Sequence, residues 1–252
     1  MLLSLRKMRI DVFLTEKGYA QSRTEAQGLV KSGNVKYLNK IITKPSFDIP
    51  CDATEISVDR SAIKYVSRGG FKLEGALEHF EIKVDGRLAL DVGASSGGFT
   101  DCLLKNGASH VISVDSGSGQ MHQSLRDDAR VTVIENYNAR YMVSEDFEYT
   151  PNLAVMDVSF ISATYIIPSV YNVLASGGDF VCLIKPQFEV GRSALGKGGI
   201  VKDDNARLKA VKKVCDFAQV QGFSVIGVTR SQILGGDGNI EFVAHFKKNI
   251  QK

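Results

Sequence analysis

The chain has 252 residues, 44% of them apolar and 23% charged, and a formal charge of +3. With a mean hydropathy of −0.04, it reads as a soluble globular protein with room for one full core and a small satellite, which excludes a disordered, collagen-like or low-complexity chain. No apolar run approaches the ~20 residues of a membrane helix.

Met1-Leu2-Leu3-Ser4-Leu5 is cut by Arg6 and Lys7, too short for the apolar region of a signal peptide. Cys51, Cys102, Cys182 and Cys215 stand far apart with no C-x-x-C pair, so neither a disulfide framework nor a metal site is expected, and a reducing cytoplasm is. Charge is unevenly spread. Residues 1–46 hold nine Lys and Arg against three acids, a net of +6, and the rest of the chain sums to −3. A basic head of that kind points to a polyanionic partner.

Ile10, Phe13 and Leu14 have the i, i+3, i+4 spacing of a short amphipathic helix, broken at Gly18-Tyr19. Ser22 and Glu25 fit a capping box for a second helix, which buries Ala26, Leu29 and Val30 and stops at Gly33. Residues 34–38, 39–42 and 54–58 are strand-like. Arg9, Asp11, Leu14, Ser22-Arg23, Ala26, Gly33, Val35 and Lys44-Pro45-Ser46 together resemble the S4 RNA-binding domain. The resemblance implies an RNA-facing side carrying Arg9, Arg23, Lys31 and Lys36, whose charges would neutralise phosphates. The expected boundaries are an S4-like domain at 1–60 and a linker with a lead-in helix at 61–87. In that joint Ser67-Arg68-Gly69-Gly70 is turn-prone, with Arg68 a further RNA-contact candidate, and Leu73, Leu77 and Phe80 mark the helix. Lys72 near its start opposes the helix dipole and is notable for that.

From residue 88 the pattern alternates strand and helix. Apolar strands are expected at 88–92, 111–114, 131–134, 153–156 and 180–184, then a helix at about 205–221 and two last strands at 223–228 and 240–244. Those two read as a hairpin joined through Gly235-Gly236-Asp237-Gly238. Continuous apolar strands separated by helices predict an α/β domain over 88–252, with a mostly parallel sheet covered on both faces.

Asp91-Val92-Gly93-Ala94-Ser95-Ser96-Gly97-Gly98-Phe99 follows the first of these strands, where glycine lets backbone approach a ligand. Asp115 closes the next strand, at the distance where an acid meets a ribose hydroxyl pair. The spacing is neither a dinucleotide fingerprint nor a phosphate-binding P-loop. Asp-x-Gly-x-x-x-Gly-Gly is instead similar to the first motif of S-adenosylmethionine-dependent methyltransferases. That predicts S-adenosylmethionine against Gly93, Ala94, Ser95, Gly97, Gly98 and Phe99. Asp115 is expected on its ribose, Asn138 near its adenine, and Asp157 beside it. Lys72, Asp157, Lys185 and Glu241 are the residue types that would activate a hydroxyl: a lysine takes the proton and carboxylates orient it. Two structural salt bridges are the alternative.

Tyr65-Val66-Ser67-Arg68-Gly69-Gly70-Phe71-Lys72-Leu73, Asn136-Tyr137-Asn138-Ala139-Arg140, Met156-Asp157-Val158-Ser159-Phe160, Ile184-Lys185-Pro186-Gln187-Phe188-Glu189, Gly198-Gly199-Ile200-Val201 and Gly238-Asn239-Ile240-Glu241-Phe242 resemble the TlyA family. That family joins an S4 domain to an FtsJ-like methyltransferase with a Rossmann-like sheet, and has been labelled hemolysin. The resemblance implies 2′-O-methylation of cytidine in ribosomal RNA, with ribosomal RNA or ribosomal subunits as partner. It implies a Lys-Asp-Lys-Glu tetrad at Lys72, Asp157, Lys185 and Glu241. Lys185 follows an apolar strand end and precedes Pro186, and for that reason is the expected base. The serines in Asp115-Ser116-Gly117-Ser118-Gly119-Gln120 depart from the bulkier residues of the family. A membrane-lytic protein, a non-catalytic RNA binder and an enzyme for another RNA are the rival readings.

Overall fold

The computed structural model describes residues 6–20, 23–59, 64–235 and 238–250. Met1–Leu5, the proposed cap Ser22 and the turn residues Gly236 and Asp237 lie outside them. The chain forms two compact units, Met1–Arg68 and Gly69–Lys252.

The first unit runs β1 (Lys7–Arg9), α1 (Ile10–Glu16), α2 (Arg23–Lys31), β2 (Val35–Tyr37), β3 (Lys40–Ile41), β4 (Asp48–Pro50) and β5 (Ile56–Val58). β2 is central in an antiparallel sheet β3-β2-β5, and β1 pairs with β4. Ile10, Phe13 and Leu14 from α1 meet Ala26, Leu29 and Val30 from α2 in a core closed by Val35 and Ile49. Burial of these side chains, not helix propensity, holds such short helices. Leu38 and Asn39 both have positive φ (51° and 58°), the backbone that a two-residue hairpin loop requires. The β1–β4 pair was not expected. Each strand offers a single inward residue, Met8 or Ile49, and three residues are too few to display a period.

The second unit runs α3 (Gly69–His79), β6 (Leu88–Val92), α4 (Gly98–Lys105), β7 (His110–Val114), α5 (Gln123–Arg126), β8 (Val131–Ile134), β9 (Leu153–Met156), α6 (Ile167–Val173), β10 (Asp179–Ile184), α7 (Pro186–Glu189), α8 (Asp204–Val220), β11 (Phe223–Arg230) and β12 (Phe242–Lys248). Its sheet has the order β11-β12-β10-β9-β6-β7-β8. Strands β10, β9, β6, β7 and β8 are mutually parallel, and β12 is antiparallel to both β10 and β11. Leu90, Val92, Ala154, Met156, Cys182 and Ile184 build the centre of the core with Val170, Val214 and Phe246.

Two details differ from the sequence reading. α3 begins at Gly69 inside the expected turn-prone patch and folds with the second unit. The last strand spans Phe242–Lys248, so Ile240 and Glu241 precede it. His245 and Lys247 hid its second half, because both bond Asp179 and so sit in a strand as polar residues.

Candidate active site

Register explains why chemistry collects at one edge of the sheet. Val92 lies opposite Val114 and Met156, and Ile184 lies opposite Phe242. Gly93, Asp115 and Asp157 therefore leave the carboxyl ends of parallel strands at one level, and Lys185 leaves β10 two residues further along, since Cys182 is the residue opposite Met156. Glu241 enters β12 at the level of Lys185, because β12 runs the other way. This is the crevice side on which open parallel sheets bind ligands.

The four tetrad candidates come together there. Lys72 Nζ donates to Glu241 Oε2 at 2.6 Å and stands 4.0 Å from Asp157 Oδ2. Lys185 Nζ lies 2.5 Å from Asp157 Oδ1 and donates to Ser159 Oγ at 2.6 Å. The result is an alternating chain Glu241, Lys72, Asp157, Lys185, with two charges of each sign. Both lysine side chains are only 10% exposed and Glu241 3%, so each ion needs its neighbour to offset desolvation. The cation that looked misplaced at the start of α3 is matched by Glu241. Glu241 lies against Gly235, where any Cβ would collide with its carboxylate.

Glu241 is held from both sides. Its carbonyl accepts from Ser231 N at 2.9 Å. Two residues earlier, buried Asn239 accepts from Val201 N (3.0 Å) and donates to Gly199 O (3.1 Å). Neither Asn239 nor Ser159 was singled out from sequence; short motifs containing them were the only signal.

The glycine-rich turn sits beside this chain. Gly93 has φ +83°, and a Cβ there would lie 2.7 Å from the Asp157 carbonyl oxygen. Gly97, with φ +91°, caps α4, and its missing side chain makes room for Leu125. The turn thus needs glycine at 97 for its own packing, and not only to clear space for a ligand. Ala94, Gly98 and Phe99 are buried and offer backbone, while Ser95 is exposed at φ +48°. Asp115 accepts Ser95 N at 2.8 Å and Gly117 N at 2.7 Å, so its carboxylate ties the turn to the loop after β7. Tyr137 N donates to Asp115 O at 2.9 Å, which brings the Asn138 segment alongside. The Asn138 side chain is exposed and caps the turn Ala139–Tyr141.

Beneath the turn, Asp91 is fully buried and accepts from Thr100 Oγ1 at 2.6 Å, with Thr100 in contact with Ser113 Oγ at 2.8 Å. Burial pushes its carboxyl up to about 7, and among the described residues Oδ1 has no hydrogen-bond partner. This donor set fits S-adenosylmethionine. It offers an acid for a ribose diol, a close-approach turn without a Lys or Arg for phosphate, and buried acceptor capacity below.

Next to the site is an open cleft of about 450 Å³ lined by Arg140, Phe160, Tyr165, Phe188 and Lys213 among others. Phe160 is 92% exposed, has φ +64°, and packs on Phe188 at 5.2 Å between ring centroids. Arg140 lies over the Tyr165 ring at 4.7 Å. Buried Glu189 accepts Ser162 Oγ and Ala163 N at 2.6 and 2.7 Å and pins this loop. None of this was read from sequence, because exposed aromatics carry no periodic signal.

In the first unit, Arg9 and Arg23 converge on Asp11. Lys31 is exposed at the end of α2, Lys36 on β2, and Arg68 at the end of the unit. Among the described residues no group of three or more His, Cys, Asp or Glu could hold a metal, and no helix is long and apolar enough to cross a membrane.

Comparison with known proteins agrees with both units. Residues 65–248 match the FtsJ-like methyltransferase family and residues 8–50 the S4 domain. The 16S/23S rRNA (cytidine-2′-O)-methyltransferase TlyA of Mycobacterium tuberculosis is 41% identical over 94% of this chain and 88% of its own. Hemolysin A of Brachyspira hyodysenteriae is 43% identical over 95% and 99%. A solved structure from Streptococcus thermophilus that carries the name hemolysin superposes with a TM-score of 0.78 at 42% identity, covering 98% of this chain and 90% of that one. The chain belongs to the FtsJ-like methyltransferase family, in the TlyA group that joins this domain to an S4 domain.

Proposed function

We propose that this protein is an S-adenosylmethionine-dependent methyltransferase acting on the ribose 2′-hydroxyl of a cytidine in ribosomal RNA. The observation that carries this reading is the charged chain Glu241, Lys72, Asp157, Lys185, whose Asp157 lies against Gly93 of the glycine-rich turn. S-adenosylmethionine, held by the turn at 93–99, Asp115 and the Asn138 segment, supplies an electrophilic methyl group. The protein must then bind the RNA, orient one hydroxyl and remove its proton. Lys185 is the base in this reading: it ends an apolar strand, precedes Pro186 and is held at Nζ by Asp157 and Ser159. Asp157 also faces Lys72, and Glu241 holds Lys72 from the other side, so the two amines keep fixed positions. Both the turn and the base lie on the crevice side, which leaves the acceptor ribose a defined approach.

The RNA is gripped by Arg9, Arg23, Lys31 and Lys36 of the S4 unit and by Arg68, in keeping with the +6 charge of residues 1–46. We place the reaction in the cytoplasm, with ribosomal RNA or ribosomal subunits as partner; the TlyA relative is named for action on 16S/23S rRNA. The test is incubation of the purified protein with ribosomal RNA and methyl-labelled S-adenosylmethionine, followed by mapping of 2′-O-methyl groups. A label on cytidine ribose is expected. Label on a base, or none on ribosomal RNA, would reject the reading, and leakage of liposomes would favour the membrane-lytic alternative.

A further inference from the structure

Asp11 is 0% exposed, yet it sits in the most basic part of the chain. A buried carboxylate is tolerated only when its oxygens are filled, and here they are. Arg9 donates from Nε and Nη2, both at 2.9 Å, in a two-pronged fork. Arg23 Nε (3.2 Å), Gln27 Nε2 (2.9 Å) and Val12 N (3.1 Å) complete the set. Burial alone would raise the Asp11 carboxyl, but the hydrogen bonds from Arg9, Gln27 and Arg23 bring it down to about 2, so it stays charged at any working pH. The two arginines remain 43% and 55% exposed. A guanidinium has five N–H groups in a rigid plane, more than Asp11 uses on either residue.

We propose that Asp11 is the positioning residue of the RNA surface, a buried anion that fixes the planes of Arg9 and Arg23 so that their outer edges meet phosphate without first being ordered. This rests on the reading of the S4 unit as RNA-binding. The advantage is entropic. Untethered arginine side chains lose rotamer freedom on binding, whereas a guanidinium already clamped at one edge loses little. The idea also reverses an expectation from charge. Counting charges alone, removing one anion from a surface of net +6 should tighten RNA binding. Positioning requires the opposite.

The test measures affinity of the full-length protein for a labelled 16S ribosomal RNA transcript across a salt series. It uses Asp11→Asn, the double variant Arg9→Lys/Arg23→Lys, and the combination. Asp11→Asn is expected to weaken binding by roughly tenfold and to flatten the log–log salt slope by about 0.7 to 0.9 for each phosphate the protein no longer neutralises. On the double-lysine background it should have no further effect, because lysine cannot form the fork. Unchanged or tighter binding by Asp11→Asn overturns the proposal, as does an equal loss in both backgrounds, which would mark Asp11 as a fold residue only. Should Asp11→Asn not fold, Arg9→Lys/Arg23→Lys decides: it keeps both charges but not the fork and should bind the transcript about tenfold more weakly, and parental affinity there overturns the proposal. If Arg9→Ala/Arg23→Ala binds the transcript like the parent, the RNA reading of this surface fails and the proposal with it. If that variant binds weakly while Asp11→Asn does not, only the proposal fails.

Discussion

Lys185 and Glu241 each stand one residue beyond the same backbone pair, Ile184 with Phe242. One leaves β10 and the other enters β12, so two residues 56 apart in sequence meet the same crevice. Antiparallel insertion of β12 is what makes this possible.

Lys185→Arg keeps the charge but cannot accept a proton at neutral pH. In single-turnover methyl transfer it should slow the chemical step by about 10²-fold or more, with RNA and S-adenosylmethionine binding retained. Should Lys72→Arg be slow and Lys185→Arg fast, the two lysines exchange roles. Near-parental rates for both would leave the charged chain a structural feature.

Asn239→Ala removes the two hydrogen bonds that tie Gly199 and Val201 to the segment carrying Glu241. The groups left unpaired cost about 1–3 kcal/mol. We expect kcat to fall about tenfold through Glu241 and Lys72, with the cofactor Kd unchanged. A lower melting temperature at unchanged kcat would show that Asn239 serves only the loop.

Asp91 titrates in the opposite sense to an ordinary paired acid. Its folded value is raised to about 7 by burial, so its stabilising contribution is complete below about 4 and lost as pH rises towards 7. Relative to the parent, Asp91→Asn should therefore gain stability between pH 4 and pH 8, by up to ~4 kcal/mol. Denaturant melts of both proteins across that range check it, and parallel curves would contradict it.

Asp179 behaves the other way. Burial would raise its carboxyl, but His245, Arg87 and Lys247 hold it well below the usual range, at 3.0, 2.7 and 3.1 Å. Its contribution is present above about 4 and lost as pH falls below that. Asp179→Ala leaves the half-buried Arg87 without its anion and should cost about 3–5 kcal/mol at pH 7. Thermal melts at pH 7 and pH 3 should show the variant modestly less acid-sensitive than the parent, since only part of the contribution is lost by pH 3.

The sheet and its crevice residues were legible because the parallel strands are mostly apolar and three of them end abruptly at Asp115, Asp157 and Lys185. Lys72 was legible as a cation in an unfavourable place. Asp11 was not legible as a hub, since its partners Arg23 and Gln27 lie on the next helix and only packing of α1 on α2 joins them. Gly97 was read as ligand clearance, and the side chain that occupies the space, Leu125, is 28 residues away in sequence. Phe160 was legible only as the end of the motif Met156–Phe160, because its exposure and positive φ are properties of a folded loop.

The placement of β12 between β10 and β11 also governs the order of events during synthesis. β11 leaves the ribosome before the strand it pairs with, and until β12 is made β10 keeps an open edge. An open apolar edge is a hazard for a nascent chain. The strand that closes the gap also delivers Glu241 to Lys72. A chain stalled before residue 241 would thus lack both its last strand and the partner of Lys72, so the charged chain of the crevice is completed only when the sheet is.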